Sequence, residues 1–200
     1  MIITKTTKLR KSLIALYLDG EEAFKVDKET FILSPFKEGG EITDEQLFDL
    51  IKTSDYKRAK ERAMYLLGLK NYSKRQLIQK LSEITNRELA TEVADKMESL
   101  GFLNDRNYAQ MLTRDLVNIK KFGIQRIKSE LFRKGIEKEI IDEVLCDLEV
   151  PNDENIRSIL ERKYPIWQED EAVKRRAFAF LQRRGYSYSQ IKNAMKIDYD

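Results

Sequence analysis

Arg126 and Arg133 recur fifty residues later as Arg176 and Arg183, and Lys134 recurs as Arg184. At about 100° per residue, positions seven apart share a helix face, so each pair sets two guanidinium groups on one side of a helix. The apolar stripe of the first copy, Ile127 with Leu131, points roughly 120–140° away from that face. A surface of this kind suits a phosphate backbone. It equally suits an acidic protein surface, and a plain solvated helix face is the remaining alternative. Acids are scarce around the arginines: residues 106–134 hold 8 basic and 2 acidic side chains, and residues 172–197 hold 7 basic and none acidic. The stretch between them, 135–161, holds 2 basic and 9 acidic. Lys120, Lys121, Lys174 and Arg175 extend the basic set; a segment fifty residues earlier has Gln76 and Glu83 in place of the arginines, with Lys74 and Arg75 close by. Tyr186 and Tyr188, beside Arg183 and Arg184, are expected as exposed stacking or interface anchors. Phe122, Phe132, Tyr164, Trp167, Phe178 and Phe180 are expected in the helical core.

Catalytic chemistry finds little support. The chain contains no histidine and one cysteine, which removes histidine-dependent nucleophile pairs, imidazole zinc sites and any intramolecular disulfide. Cys146 is expected as a small packing residue in a helix, in a reducing compartment. Gly39-Gly40 lacks the Lys-Ser/Thr of a phosphate loop, and carboxylate pairs such as Asp142-Glu143 and Asp153-Glu154 fall at helix starts or exposed faces, where solvation and the helix dipole account for them. No enzyme activity, no cofactor and no metal are expected. No apolar run approaches the roughly 18 residues of a membrane span, and the first residues lack the layout of a signal peptide. The expectation is a soluble, cytoplasmic protein without a membrane partner.

The elements that must carry this surface are mostly helices. Of 200 residues 42% are hydrophobic and 36% charged, with only 8 glycines and 3 prolines, a balance that suits helices with one apolar stripe and a charged outer face. Residues 1–53 differ, with 8 basic and 10 acidic side chains. Ser12 to Leu18, Asp19-Gly20 and Glu22 to Val26 form a hairpin signal. Lys28 to Leu33 reads as a strand or a helical turn. Thr43 with Gln46 forms a capping box that opens a short helix. From about Ser54 onward the chain repeats at an offset of 50: Leu77, Ile127 and Ala177 align, as do Leu81, Leu131 and Leu181, and Gly135 with Gly185. Each copy reads as three helices. In the first, a helix from Asp55 to Lys70 precedes a capping box at Ser73–Gln76 and a helix from Asn86 to Leu100. The second opens with Asp105 as cap. The third includes a helix opened by Asp170 and a last one opened by Ser187 or Ser189. Units this small must share apolar surface with neighbours. The expected fold is mainly α: an elongated, monomeric tandem array of three three-helix repeats at 54–103, 104–150 and 151–200, preceded by a hairpin-containing segment at 1–53.

Three stretches carry a family likeness. Tyr72-Ser73-Lys74-Arg75-Gln76-Leu77 with Lys80-Leu81, Gly101-Phe102-Leu103-Asn104-Asp105 with Tyr108-Ala109, and Lys134-Gly135-Ile136 with Ile140-Ile141 resemble signatures of the RecX regulatory proteins. They stand in the family's order, and the resemblance covers about residues 56–195. Lysine follows Ser73 where arginine is common, and isoleucine follows Gly135 where valine is common; both changes are conservative. The first 55 residues carry no signature beyond a longer N-terminal piece that some members have. The resemblance implies tandem three-helix repeats that bind the RecA recombinase filament and modulate it, usually by inhibiting ATP hydrolysis and strand exchange, within recombination, DNA repair and the SOS response. It also implies DNA contact, weak or within the filament. Carried onto this sequence, the basic residues named above become candidate contacts to filament or nucleic acid. A DNA-binding helical module acting on its own is the alternative.

Overall fold

Leu13–Leu18 is the most apolar short run in the chain, and it becomes the middle of a three-stranded sheet. In the computed structural model, which describes residues 1–9, 12–146 and 148–196, strand β2 (Leu13–Leu18) pairs antiparallel with β1 (Ile3–Lys8) and with β3 (Glu21–Asp27). Asp19 and Gly20 close the expected hairpin, both with positive φ (51° and 97°), the geometry for which an Asp-Gly turn is suited. Strand β1 was not legible in the sequence, because its one fully buried side chain is Ile3 and the rest is polar. Its pairing depends on partners distant in sequence. The Gly39-Gly40 loop covers one end, with Ile3 N–H donating to the Gly40 carbonyl (2.9 Å) and Gly39 N–H to that of Ile3 (2.7 Å).

The undecided segment 28–33 is helix α1 (Lys28–Leu33). Asp27 decides it: its Oδ1 accepts the Thr30 N–H at 3.0 Å and so caps the first turn. Thr43 and Gln46 form the expected capping box of helix α2 (Asp44–Leu69). The two helices expected over 44–70 are this single helix of 26 residues. Ser54 could have capped a new helix, but it is buried and its Oγ accepts the Asp27 N–H at 2.7 Å instead. With no proline and no glycine between Asp44 and Tyr65, nothing interrupts the backbone ladder. Ile3, Leu16, Val26, Phe31, Leu47 and Leu50 close the core between the sheet, α1 and α2.

Ten helices occur among the described residues. After α2 come α3 (Lys74–Leu81), α4 (Arg87–Ser99), α5 (Asp105–Asn118), α6 (Ile124–Arg133), α7 (Lys138–Cys146), α8 (Asn152–Lys163), α9 (Glu171–Arg183) and α10 (Tyr188–Ala194). Contacts divide the chain into two compact units, Met1–Asn71 with Leu77–Leu103, and Tyr72–Gln76 with Asn104–Asp200. In the first unit, α4 is capped by Asn86 and packs on α2. The second contains two three-helix groups. Ala109, Leu116, Ile127, Leu131 and Ile141 form the core of α5–α7, and Ile156, Leu160, Ala177, Leu181 and Ile191 that of α8–α10. The residues aligned at an offset of 50 occupy equivalent buried places: Leu77, Ile127 and Ala177 are each fully buried, as are Leu81, Leu131 and Leu181.

Two local expectations are corrected. Asn104, not Asp105, caps α5, through its Oδ1 and the Asn107 N–H at 2.9 Å. Asp105 Oδ1 instead accepts the Lys74 N–H at 2.8 Å. Cys146 is helical, as expected, but exposed at the end of α7 rather than packed, because the buried positions of that helix are Ile141 and Leu145.

Candidate basic interface

The basic residues ride on a joint that occurs twice within the second unit. Where α6 ends, the Lys134 carbonyl accepts from Ser73 Oγ at 2.5 Å. Where α9 ends, the Arg184 carbonyl accepts the Gly123 N–H at 2.9 Å, and the Gly185 carbonyl accepts that of Gln125 at 3.3 Å. Ser73 and Gly123 align at the repeat offset, as do Lys134 and Arg184. One helix C-terminus thus docks on the N-terminus of the corresponding helix in the preceding copy, and each end satisfies backbone groups that a helix leaves open. Gly135 and Gly185 turn away with φ of 82° and 90°. A Cβ on Gly185 would lie 2.3 Å from Arg126 N, so the two backbones meet with no room for a side chain. Arg75 is exposed, with its stem against Gly135. Lys74 and Lys134 are half-buried in this joint.

Arg126, Arg133, Arg176 and Arg183 are all exposed, yet the two pairs differ electrically. Arg126 bonds Glu130 at 2.7 Å, and Arg133 bonds the same carboxylate through its other oxygen. Only 9% of the Glu130 side chain is exposed, against 44% for Arg126 and 69% for Arg133. The residue fifty positions beyond Glu130 is Phe180. Among the described residues Arg175, Arg176 and Arg183 have no ion pair; Arg176 Nε donates to the Ala172 carbonyl at 3.2 Å. Lys174 pairs with Glu171 at 3.0 Å. In the α5–α7 group, Lys128 also pairs with Asp142 at 2.6 Å and Arg106 with Glu143 at 3.2 Å.

Arg184 is drawn inward. Its guanidinium lies 5.1 Å from the ring centres of both Phe122 and Phe180, and its Nη1 donates to the Lys120 carbonyl. Burial lowers its pKa, with the neighbouring charge of Arg162 acting in the same direction. It remains a cation, since guanidinium does not deprotonate in proteins. Lys163 Nζ sits 3.8 Å from the Phe180 ring centre, and Arg126 lies 5.7 Å from that of Phe122. Lys120 is exposed. Lys121, with φ of 51°, is held by a bond from its Nζ to Ser158 Oγ at 2.9 Å. The sequence did not single out Arg162 and Lys163; α8 brings them here, and no spacing rule within their own helix signals it.

Tyr186 requires a correction. It is 3% exposed, not an exposed anchor. The docking of Gly185 carries the next residue into the α8–α10 core, where its hydroxyl donates to the Lys121 carbonyl at 2.9 Å. Burial pushes its phenol up to about 12, against the opposing pull of Arg184. Tyr188 is 53% exposed and meets Phe178 edge to face at 5.2 Å. Phe132, expected in the core, is exposed, because it lies next to, not within, the stripe of Ile127 and Leu131. Among the described residues no group of three or more cysteine, aspartate or glutamate side chains is placed to hold a metal ion, and no helix is long and apolar enough to cross a membrane.

Comparison with known proteins gives this architecture relatives. The second three-helix domain of RecX matches residues 104–145, and the third matches residues 152–195. The regulatory protein RecX of Caldanaerobacter subterraneus subsp. tengcongensis is 33% identical over 98% of this chain and 100% of its own length. That of Clostridium beijerinckii is 30% identical over 96% and 94%. Among solved structures, a regulatory protein RecX superposes with a TM-score of 0.67 at 23% identity, covering 96% of this chain and 98% of its own. RecX from Lactobacillus salivarius gives 0.62 at 22% identity, covering 72% and 96%.

Proposed function

The chain belongs to the RecX family of regulatory proteins, and from that membership we propose that it binds the RecA recombinase filament and inhibits its ATP hydrolysis and strand exchange. The observation that carries this reading is the match to a regulatory protein RecX at 33% identity across essentially both full lengths. The exposed basic side chains of α6 and α9 support it, since a nucleoprotein filament presents phosphates and acidic side chains together. In this reading the protein acts in the cytoplasm, as a monomer, by occupying a surface rather than by catalysis. Its repeats are 54–103, 104–150 and 151–200, and the contacts come from Arg126, Arg133, Lys134, Arg176, Arg183 and Arg184 with their basic neighbours.

The test is RecA ATPase on single-stranded DNA, with the protein titrated in, alongside co-sedimentation with the filament. Hydrolysis should fall with dose, and the protein should pellet with the filament. A rise in hydrolysis would reverse the sign of regulation. Absence from the pellet and unchanged hydrolysis would refute the reading; tight binding to protein-free DNA in the same experiment would establish a stand-alone DNA module instead.

A further inference from the structure

We propose that the nucleic-acid phosphates are contacted by the α8–α10 group, along Arg176, Arg183, Arg184, Arg162 and Lys163, and not by the equivalent arginines of α6. This rests on the filament reading and deepens it by assigning the phosphate contacts to one of two repeated three-helix groups.

Three substitutions at the repeat offset distinguish the two groups electrically. Glu130, Asp142 and Glu143 hold Arg126, Arg133, Lys128 and Arg106 in ion pairs. Fifty residues on, the corresponding positions are Phe180, Lys192 and Asn193. The core positions correspond, with Ile127 and Ala177, Leu131 and Leu181, and Ile141 and Ile191 all buried. The acids are gone from these three positions, and the one acid of α9, Glu171 in its first turn, pairs with Lys174. An ion pair holds a cation in place and also cancels its field at a distance. An aromatic face holds a cation in place and leaves its charge uncancelled, because the ring supplies a quadrupole and no net charge. Phe180 does the second where Glu130 does the first: Lys163 and Arg184 lie 3.8 and 5.1 Å from its ring centre.

Geometry makes the patch continuous. At about 100° per residue, Arg176, Phe180 and Arg184 fall within roughly 80° of one another on α9, and Arg183 flanks Arg176. The run from Arg176 to Arg184 rises about 12 Å, a span that meets several successive phosphates at about 3.4 Å of axial rise per strand. Arg162 and Lys163, both exposed at the end of α8, add charge beside Arg184. Like charges that no acid pairs with among the described residues are suited to an unbroken line of phosphates, whereas a protein surface offers carboxylates interspersed with its own cations.

The experiment uses the full chain and a fluorescein-labelled oligo-dT, read by anisotropy over a salt series. Arg176→Gln with Arg183→Gln removes two contacts. It should flatten the slope of log K against log salt by about 1.4 and weaken binding about 25-fold at 0.1 M salt. Arg162→Gln with Lys163→Gln should have a similar effect. Arg126→Gln with Arg133→Gln, equally exposed but already paired, should change the slope little. Glu130→Gln should steepen it, because it releases the α6 arginines. Circular dichroism melts confirm that each variant is folded. If the α6 pair loses as much as the α9 pair, or if the wild-type protein binds oligo-dT without salt dependence, the assignment is overturned. Equal affinity for poly-glutamate would give the patch to an acidic protein and overturn it as well. A chain that follows the expected pattern on oligo-dT yet leaves RecA untouched would refute the regulatory reading and retain this one.

Discussion

Three glycines separate the forces at the joint between the α5–α7 and α8–α10 groups. Gly101 has φ of 79° and open space where a Cβ would go. Gly101→Ala therefore costs only left-handed strain, about 1–2 kcal/mol. Gly123 has an ordinary φ of −76°, but an added Cβ would lie 2.4 Å from the Gly185 carbonyl oxygen. Gly123→Ala thus costs overpacking alone, about 1–3 kcal/mol. Gly185 carries both, with φ of 90° and Arg126 N at 2.3 Å from the added carbon. The obstacle is backbone on a helix whose other side is packed, so it yields little. Gly185→Ala should cost about 2–5 kcal/mol, the two terms together. Because the chain has two compact units, a single global transition is not assumed. Hydrogen exchange on the amides of α6 and α9 reads the local cost, and urea unfolding reads the total. The expected order of destabilisation is Gly185→Ala first, with Gly101→Ala and Gly123→Ala smaller. If Gly185→Ala costs no more than Gly101→Ala, the close backbone approach does not limit the joint and the reasoning fails.

Asp27 links a helix cap to an ion pair. Burial acts to raise its carboxyl, but hydrogen bonds from Lys57, Thr30 and Ser12 outweigh it and hold the pKa below its ordinary value of 3.8. A depressed carboxylate contributes stability above its unfolded value, so the first unit should lose stability as pH falls below about 3.8 toward the folded pKa. Asp27→Ala removes the cap of α1 and leaves Lys57, still beside Glu29, short of one partner; a cost of about 2 kcal/mol in urea unfolding is expected, and no measurable loss would refute the linkage. Tyr186, with its phenol pushed up to about 12, should give an ultraviolet titration step above the ordinary phenol value of about 10, and Tyr186→Phe should remove that step. A raised pKa means stability is complete below the unfolded value and declines as pH rises from about 10 toward 12, and Tyr186→Phe should remove that decline at a cost near 1 kcal/mol.

Much of the fold is legible because helices are written locally. Apolar residues three and four apart, the capping residues Thr43, Asn86, Asp170 and Ser187, and the glycines after α6 and α9 are decided within one or two turns of chain. The hairpin at Asp19-Gly20 is equally local. Strand β1 and the continuity of α2 were not legible for the same reason: Ile3 is fixed by Gly39 and Gly40, and Ser54 by Asp27, partners about thirty residues away. Tyr186 was misjudged because its neighbours in sequence are basic, while its neighbours in space are the Lys121 carbonyl and an apolar core.

By itself the sequence determined the repeat, the helical class and the blocks of charge, since each depends on periodicity or on counts that a linear chain displays. It also held the replacement of Glu130 by Phe180 at the repeat offset, but only as a difference of letters. The tertiary structure decided which charges remain available. Lys128 meets Asp142 and Arg106 meets Glu143 only after α5, α6 and α7 pack together, and Arg184 is flanked by two rings only after α9 docks on the start of α6. The net charge of a segment is a sum over residues, but the field it presents depends on distances of a few ångströms, and those are set by packing.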